Sequence, residues 1–185
     1  MSLSASARDE LANWQPPTPS QASLQDAFVA HLAAHDDGCS RGCRPDHLTA
    51  SALVVDSSGS RVLLCLHRKV GLWLQFGGHI ENDDTSVAGA ALREAREESG
   101  IEALTLMGSE PVRLDRHAAP CDVNARHHLD VQYLAAAPAG AEPTVSSESL
   151  DVQWFTPDDL PSQTDDAVRQ LVADAMAHGA DARRR

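Results

Sequence analysis

Residues 77–101 read GGHIENDDTSVAGAALREAREESGI, and the way this stretch folds decides the rest. Two glycines end an apolar run, Leu72–Phe76, that has the character of a short strand. A polar turn follows, after which Thr85 or Ser86 can cap a helix that stops at Gly100. At roughly 100° per residue, Glu94, Glu97 and Glu98 share an arc of about 100°, with Ala88, Ala91, Leu92 and Ala95 on the neighbouring arc. Such a helix buries one side and presents carboxylates on another. Glu94 and Glu98, four residues apart, repel each other by a few tenths of a kcal/mol even when exposed, so a cation is expected to neutralise the face. Clustered hard oxygens suit Mg²⁺ or Mn²⁺, which also bridge to the oxygens of a diphosphate. Gly77 and Gly78 have no side chains, so backbone can approach the ion and offer a carbonyl. The alternative is a solvated acidic helix, which requires the glycines, turn, cap, arginine and three glutamates to coincide by accident.

Upstream, Leu48–Val55 is rich in β-branched and apolar residues and reads as a strand. Asp56-Ser57-Ser58-Gly59 is its turn and Arg61–His67 the hairpin partner. Further upstream, residues 21–35 place Leu24, Phe28, Val29, Leu32 and Ala33 at helical spacing after a Pro-rich stretch, and residues 1–20 read as flexible. Downstream, Leu129–Ala135 and Val152–Phe155 read as strands flanking a surface loop at Ala136–Thr144. Asp165–Ala177 closes the pattern as a helix with Val168, Leu171, Val172, Ala175 and Met176 on one stripe and Ser162 or Thr164 as caps. No internal repeat is present, and 185 residues with 42% hydrophobic content suit a single domain.

Twenty-seven acidic against fifteen basic residues give a net charge of -12, which repels nucleic-acid polymers and anionic membranes. A small phosphorylated molecule remains compatible if a metal ion supplies positive charge at its phosphates. Met1–Pro16 lacks the pattern of a secretory signal and no apolar run has membrane-spanning length, so a cytoplasmic protein is expected. Four cysteines at irregular positions, Cys39, Cys43, Cys65 and Cys121, read as reduced thiols.

Arg93-Glu94-Ala95-Arg96-Glu97-Glu98-Ser99-Gly100-Ile101, behind the two glycines, resembles the signature of the Nudix hydrolases, a Gly and a first Glu followed by Arg-Glu-x-x-Glu-Glu-x-Gly and an apolar residue. The upstream half departs from that pattern. Asp84 stands where the family has its first glutamate, and eight residues rather than seven separate it from Arg93. The surrounding hairpin, the Leu72-Trp73-Leu74 segment and the Trp154-Phe155 strand resemble the Nudix αβα sandwich, an α/β fold with a mixed sheet between helices, here with extra helices at both ends.

The resemblance implies hydrolysis of a nucleoside diphosphate derivative or a related small organic diphosphate by water, with Mg²⁺ or Mn²⁺ as cofactor. It implies Glu94, Glu97, Glu98 and the Gly77 carbonyl as metal ligands, and Glu94, Glu98 and Arg93 as catalytic residues. It also implies an ion pair between Asp84 and Arg93, with Glu81 or Asp83 as substitutes. Glu94 is either a ligand or the base that activates water, and Glu142 and Glu148 are the other candidate bases. Arg68, with Lys69 beside it, together with Gly78, His79 and Glu81, are candidates for holding substrate phosphates.

The competing readings of single residues stay open at this level. Trp73 either stacks on a base or fills the core. His128 and Asp130 share a strand face turned to pocket or solvent, and His127 opens that strand. Cys39, Cys43 and His47 have neither a usual zinc spacing nor an evident fourth ligand. Arg183-Arg184-Arg185 reads as a tail, and the N-terminal helix is available as a homodimer contact. Two other activities share the fold: a silent module that senses a nucleotide ligand, and an isomerase of prenyl diphosphates needing a reactive cysteine. Selectivity is expected from the loops Asp115–Arg126 and Ala136–Ser149, which leave the substrate undetermined.

Overall fold

A computed structural model describes residues 2–119 and 126–182, the last four by backbone alone. Cys121, the Arg183–Arg185 tail and residues 120–125 of the Asp115–Arg126 loop lie outside the described residues. Twelve elements follow one another: α1 (Leu3–Asn13), α2 (Pro19–Ala34), β1 (Asp46–Val55), β2 (Val62–His67), β3 (Trp73–Leu74), β4 (Phe76–His79), α3 (Val87–Ser99), β5 (Thr105–Leu106), β6 (Arg113–Ala118), β7 (His127–Ala136), β8 (Ser149–Phe155) and α4 (Asp166–Ala182). All eight strands join one mixed sheet. Its centre is a parallel pairing of β1 with β7 in register from Asp46↔His127 to Val55↔Ala136. A parallel pair cannot be joined by a tight turn, and the connection that contains α3 supplies the crossover.

The period-two alternation of the central strands sorts their side chains between two cores. Leu48, Ala50, Ala52 and Val54 of β1 and Leu129, Val131, Tyr133 and Ala135 of β7 pack with α1, α2 and the alanines of α3. Leu53 and Val55 of β1 and Leu134 of β7 face Val168, Leu171, Val172 and Ala175 of α4. Helices therefore cover both faces of the sheet. Trp73 belongs to the second core, with its ring edge-on to Phe155 at 4.9 Å, so it fills space.

Four expectations are corrected. Residues 1–20 contain a packed helix instead of a flexible lead: Ala7, Leu11 and Trp14 recur at helical spacing and are buried, and the Tyr133 hydroxyl donates to Glu10 at 2.8 Å. The Leu72–Phe76 strand is split, because Trp73 and Leu74 pair with β2 while Phe76–His79 pairs with β1, which places both glycines inside a strand. The loop expected from Asp115 begins as the end of β6. The last helix is capped by Asp165, whose carboxylate accepts from the Val168 amide at 2.9 Å, and neither Ser162 nor Thr164 takes that place.

Candidate active site

Ser86 caps α3, its hydroxyl accepting from the Gly89 amide at 2.9 Å, and Gly100 ends it in the left-handed conformation at φ 70°. Residues Val87, Ala88, Ala90, Ala91 and Ala95 are buried against the sheet, which turns Glu94 and Glu98 toward β4 and leaves Glu97 exposed. Gly77 and Gly78 make that approach possible. A Cβ at Gly78 would sit 2.6 Å from Glu94 Oε1, and one at Gly77 would meet the Ser51 side chain and lie 2.7 Å from the Ser51 Cα. The Gly77 amide donates to Glu98 Oε2 at 3.3 Å, which aligns the strand with the carboxylate face.

Arg93 organises the turn between β4 and α3. Its guanidinium donates twice to Asp84, at 2.8 and 3.1 Å, and to the His79 carbonyl at 3.1 Å. The same side chain reaches Glu94 at 3.0 Å and Glu97 at 3.3 Å. The turn Glu81–Asp84 closes on itself, the Asp84 amide donating to the Glu81 carbonyl at 3.1 Å and the Glu81 amide donating to Asp84 Oδ2 at 2.8 Å. Burial by itself would raise the Asp84 carboxyl, but the hydrogen bonds from Arg93 and the Glu81 amide hold it below the usual carboxylate range. Asp84, and neither Glu81 nor Asp83, is the partner of Arg93.

Glu98 is 8% exposed, and burial, reinforced by the charges of Glu94 and Glu148, pushes it up to about 8. Burial also raises Glu94, although the Arg93 guanidinium opposes the shift. A buried carboxyl held protonated by its neighbours is a group that a cation would ionise. The donors that Glu94 and Glu98 present here are all oxygen, which is the chemistry that suits a hard divalent cation, and Glu94 comes this close to β4 only because Gly78 lacks a side chain.

Glu148 and Glu142 are separated by the structure. The charge of Glu148 is felt by both Glu94 and Glu98, whereas Glu142 is not among the leading influences on either. Residues 144–149 are tied down at both ends, the Thr144 amide donating to the Ser99 carbonyl at 2.8 Å and the Arg68 guanidinium donating to the carbonyls of Ser147 and Ser149 at 3.0 and 2.9 Å. Arg68 therefore holds the loop that carries Glu148. Lys69 is exposed. The ring of His79 turns away from the glutamates and lies beside His47 and His128, with centroids 5.2 and 5.3 Å apart. Cys39, Cys43 and His47 do not converge: Cys43 groups with His35 and Asp37, and His47 with His79 and His128. Asp130 is buried and accepts from Thr49 at 3.0 Å, Ser51 at 2.6 Å and Gln132 at 3.0 Å, so the shared face of His128 and Asp130 points inward. Sequence reasoning missed this polar row; its one signal was the alternation His47, Thr49, Ser51 against His128, Asp130, Gln132.

A sequence model of the NUDIX domain matches residues 45–175. A MutT-like protein of Streptomyces ambofaciens is 30% identical over 132 residues, covering 71% of this chain and 79% of that protein. A hydrolase of the NUDIX family from Clostridium perfringens superimposes with a TM-score of 0.61 at 25% identity over 71% of this chain and 97% of its own. An Ap4A hydrolase of C. elegans in a binary complex superimposes at 0.62 with 19% identity, over 72% of this chain and 98% of its own, a likeness of fold.

Proposed function

The chain belongs to the NUDIX family, and on that premise we propose that it hydrolyses, with a divalent cation, the diphosphate linkage of a nucleoside diphosphate derivative or related small organic diphosphate. The observation that carries this reading is the buried Glu98 beside Glu94 on the face of α3 that meets Gly77 and Gly78. Glu94, Glu97, Glu98 and the Gly77 carbonyl would hold Mg²⁺ or Mn²⁺. A cation held there would supply positive charge to offset that of the diphosphate.

The chain's own residues supply the rest. Arg93 fixes the turn Glu81–Asp84 against the first turns of α3 and keeps Glu94 in place. Gly78 lets the Glu94 carboxylate lie directly against the β4 backbone, with Glu81 and His79 beside that contact as candidates for the substrate phosphates. The attacking water gives its proton to a carboxylate, for which Glu94 and Glu148, both in the electrostatic neighbourhood of Glu98, are the candidates. Arg68 acts on this step through the backbone of the loop bearing Glu148. Cys65 does not suit isomerase chemistry, since its thiol is buried in β2 and pushed up to about 12 by burial and the Glu98 charge.

Turnover of a panel of nucleoside diphosphate derivatives and small organic diphosphates with Mg²⁺ tests the proposal. Glu98→Gln is expected to lose at least about 100-fold in kcat/KM, equivalent to roughly 3 kcal/mol of transition-state stabilisation, with an unchanged circular dichroism spectrum. Near-normal turnover in that variant would sink the assignment. Tight binding of a panel member without turnover by the wild-type chain would replace it with the ligand-sensing reading.

A further inference from the structure

Four imidazoles stand in a row on four adjacent strands, on the face of the sheet turned away from α3. His79 lies on β4, His47 on β1, His128 on β7 and His117 on β6, with His47 in register with His128 and His128 with His117. Their side of the sheet follows from alternation: Leu48 and Ala50 of β1 pack into the core that holds α3, so His47 and Thr49 project to the other side. On β4 the same alternation sends Gly78 toward Glu94 and His79 the opposite way. The imidazoles and the glutamates are thus on opposite faces of one strand.

Three of the rings close a triangle. Centroids are 5.0 Å apart for His47 and His128, 5.2 Å for His47 and His79, and 5.3 Å for His79 and His128. One ring nitrogen from each lies within 4.8 Å of those of the other two. A tetrahedral ion about 2.0–2.1 Å from each nitrogen would need those nitrogens roughly 3.3 Å apart, a closure of at most roughly 1.5 Å that side-chain rotation can supply. Two independent features point to a cation there. His128 Nε2 is buried without a hydrogen-bond partner among the described residues, in a side chain only 9% exposed. Two residues along the same strand face, the buried Asp130 carboxylate accepts from Thr49, Ser51 and Gln132, all neutral donors, and its charge acts on the His117 imidazole of the same row.

We propose that His47, His79 and His128 form a second metal site, for Zn²⁺ or a similar first-row transition ion. Imidazole nitrogen suits such ions and not Mg²⁺, so the two faces of β4 select different metals. Ligands from β1, β4 and β7 make the ion a clip across the centre of the sheet, with the fourth position left for water or another oxygen. The site stands whether or not the glutamate face catalyses hydrolysis.

Co²⁺ titrated into the metal-free full-length chain in excess Mg²⁺ tests this by visible absorption and by the thermal midpoint. One Co²⁺ per chain is expected, with d–d bands and a raised midpoint. Both signals should persist in the Glu97→Gln/Glu98→Gln variant. In His128→Gln and in His79→Ala the Co²⁺ affinity should fall more than about 100-fold, beyond the 10–100-fold typical of losing an outer-shell partner. The proposal is overturned if no Co²⁺ is held against Mg²⁺, if binding disappears with the glutamates, or if the histidine variants bind like wild type. Should His128→Gln fail to fold, the half-buried His79 decides alone.

Discussion

Glu98 combines burial, three neighbouring acids and a single backbone donor, and its protonation should be visible in the stability of the cation-free protein. Its folded value of about 8 lies above its ordinary value of 4.5. Between these two values the folded chain binds more protons than the unfolded chain, so this residue's contribution to stability falls as pH rises through that window. Thermal midpoints in a chelator from pH 5 to 9 should show Glu98→Gln gaining on wild type as pH rises toward 8, and parallel curves would contradict the assignment. Asp84 behaves in the opposite sense, because Arg93 holds it ionised. The pairing of Asp84 with Arg93 could be named from their positions in the motif, whereas the burial that perturbs Glu98 could not, since it depends on Gly77 and the β4 backbone packing over α3.

Helix α3 was legible almost residue by residue, because cap, buried alanines and terminal glycine are all local signals. Removing the cap with Ser86→Ala should cost about 1 kcal/mol, read as a lowered urea midpoint at unchanged slope. A midpoint equal to wild type would mean that tertiary packing alone sets where the helix begins. The strands were harder to read. β3 and β4 are adjacent in sequence yet hydrogen-bond to different partners, and β6 carries Arg113, Asp115, Arg116 and His117 and so lacks an apolar signature. It is recognised only as a neighbour of β7 and by Gln21 of α2, which bonds both the amide and the carbonyl of Leu114 at 2.7 and 3.0 Å.

Helix α1 is a whole-molecule feature, joined to α2 and to the central sheet. Gln25 donates to the carbonyls of Leu11 and Trp14 at 2.6 and 2.7 Å, and Tyr133, fully buried, spends its hydroxyl on Glu10. Deleting residues 1–15 uncovers the apolar surface that Leu11 and Trp14 cover and should lower unfolding free energy by about 3 kcal/mol or more, measured by urea denaturation. An unchanged midpoint would show that α1 is a passive attachment. Among the described residues no helix is long and apolar enough to cross a membrane. What the amino-acid sequence determined by itself is the glutamate helix, its flanking glycines and the hairpin before them, because caps, turns and periodicity act over a few residues. What only the tertiary structure decided is the meeting of distant segments: Glu148 approaching the glutamates on a loop gripped by Arg68, and His47, His79 and His128 converging from three strands. Their proximity comes from strand order and register, and sheet pairing between segments some eighty residues apart in sequence leaves no local mark on the chain.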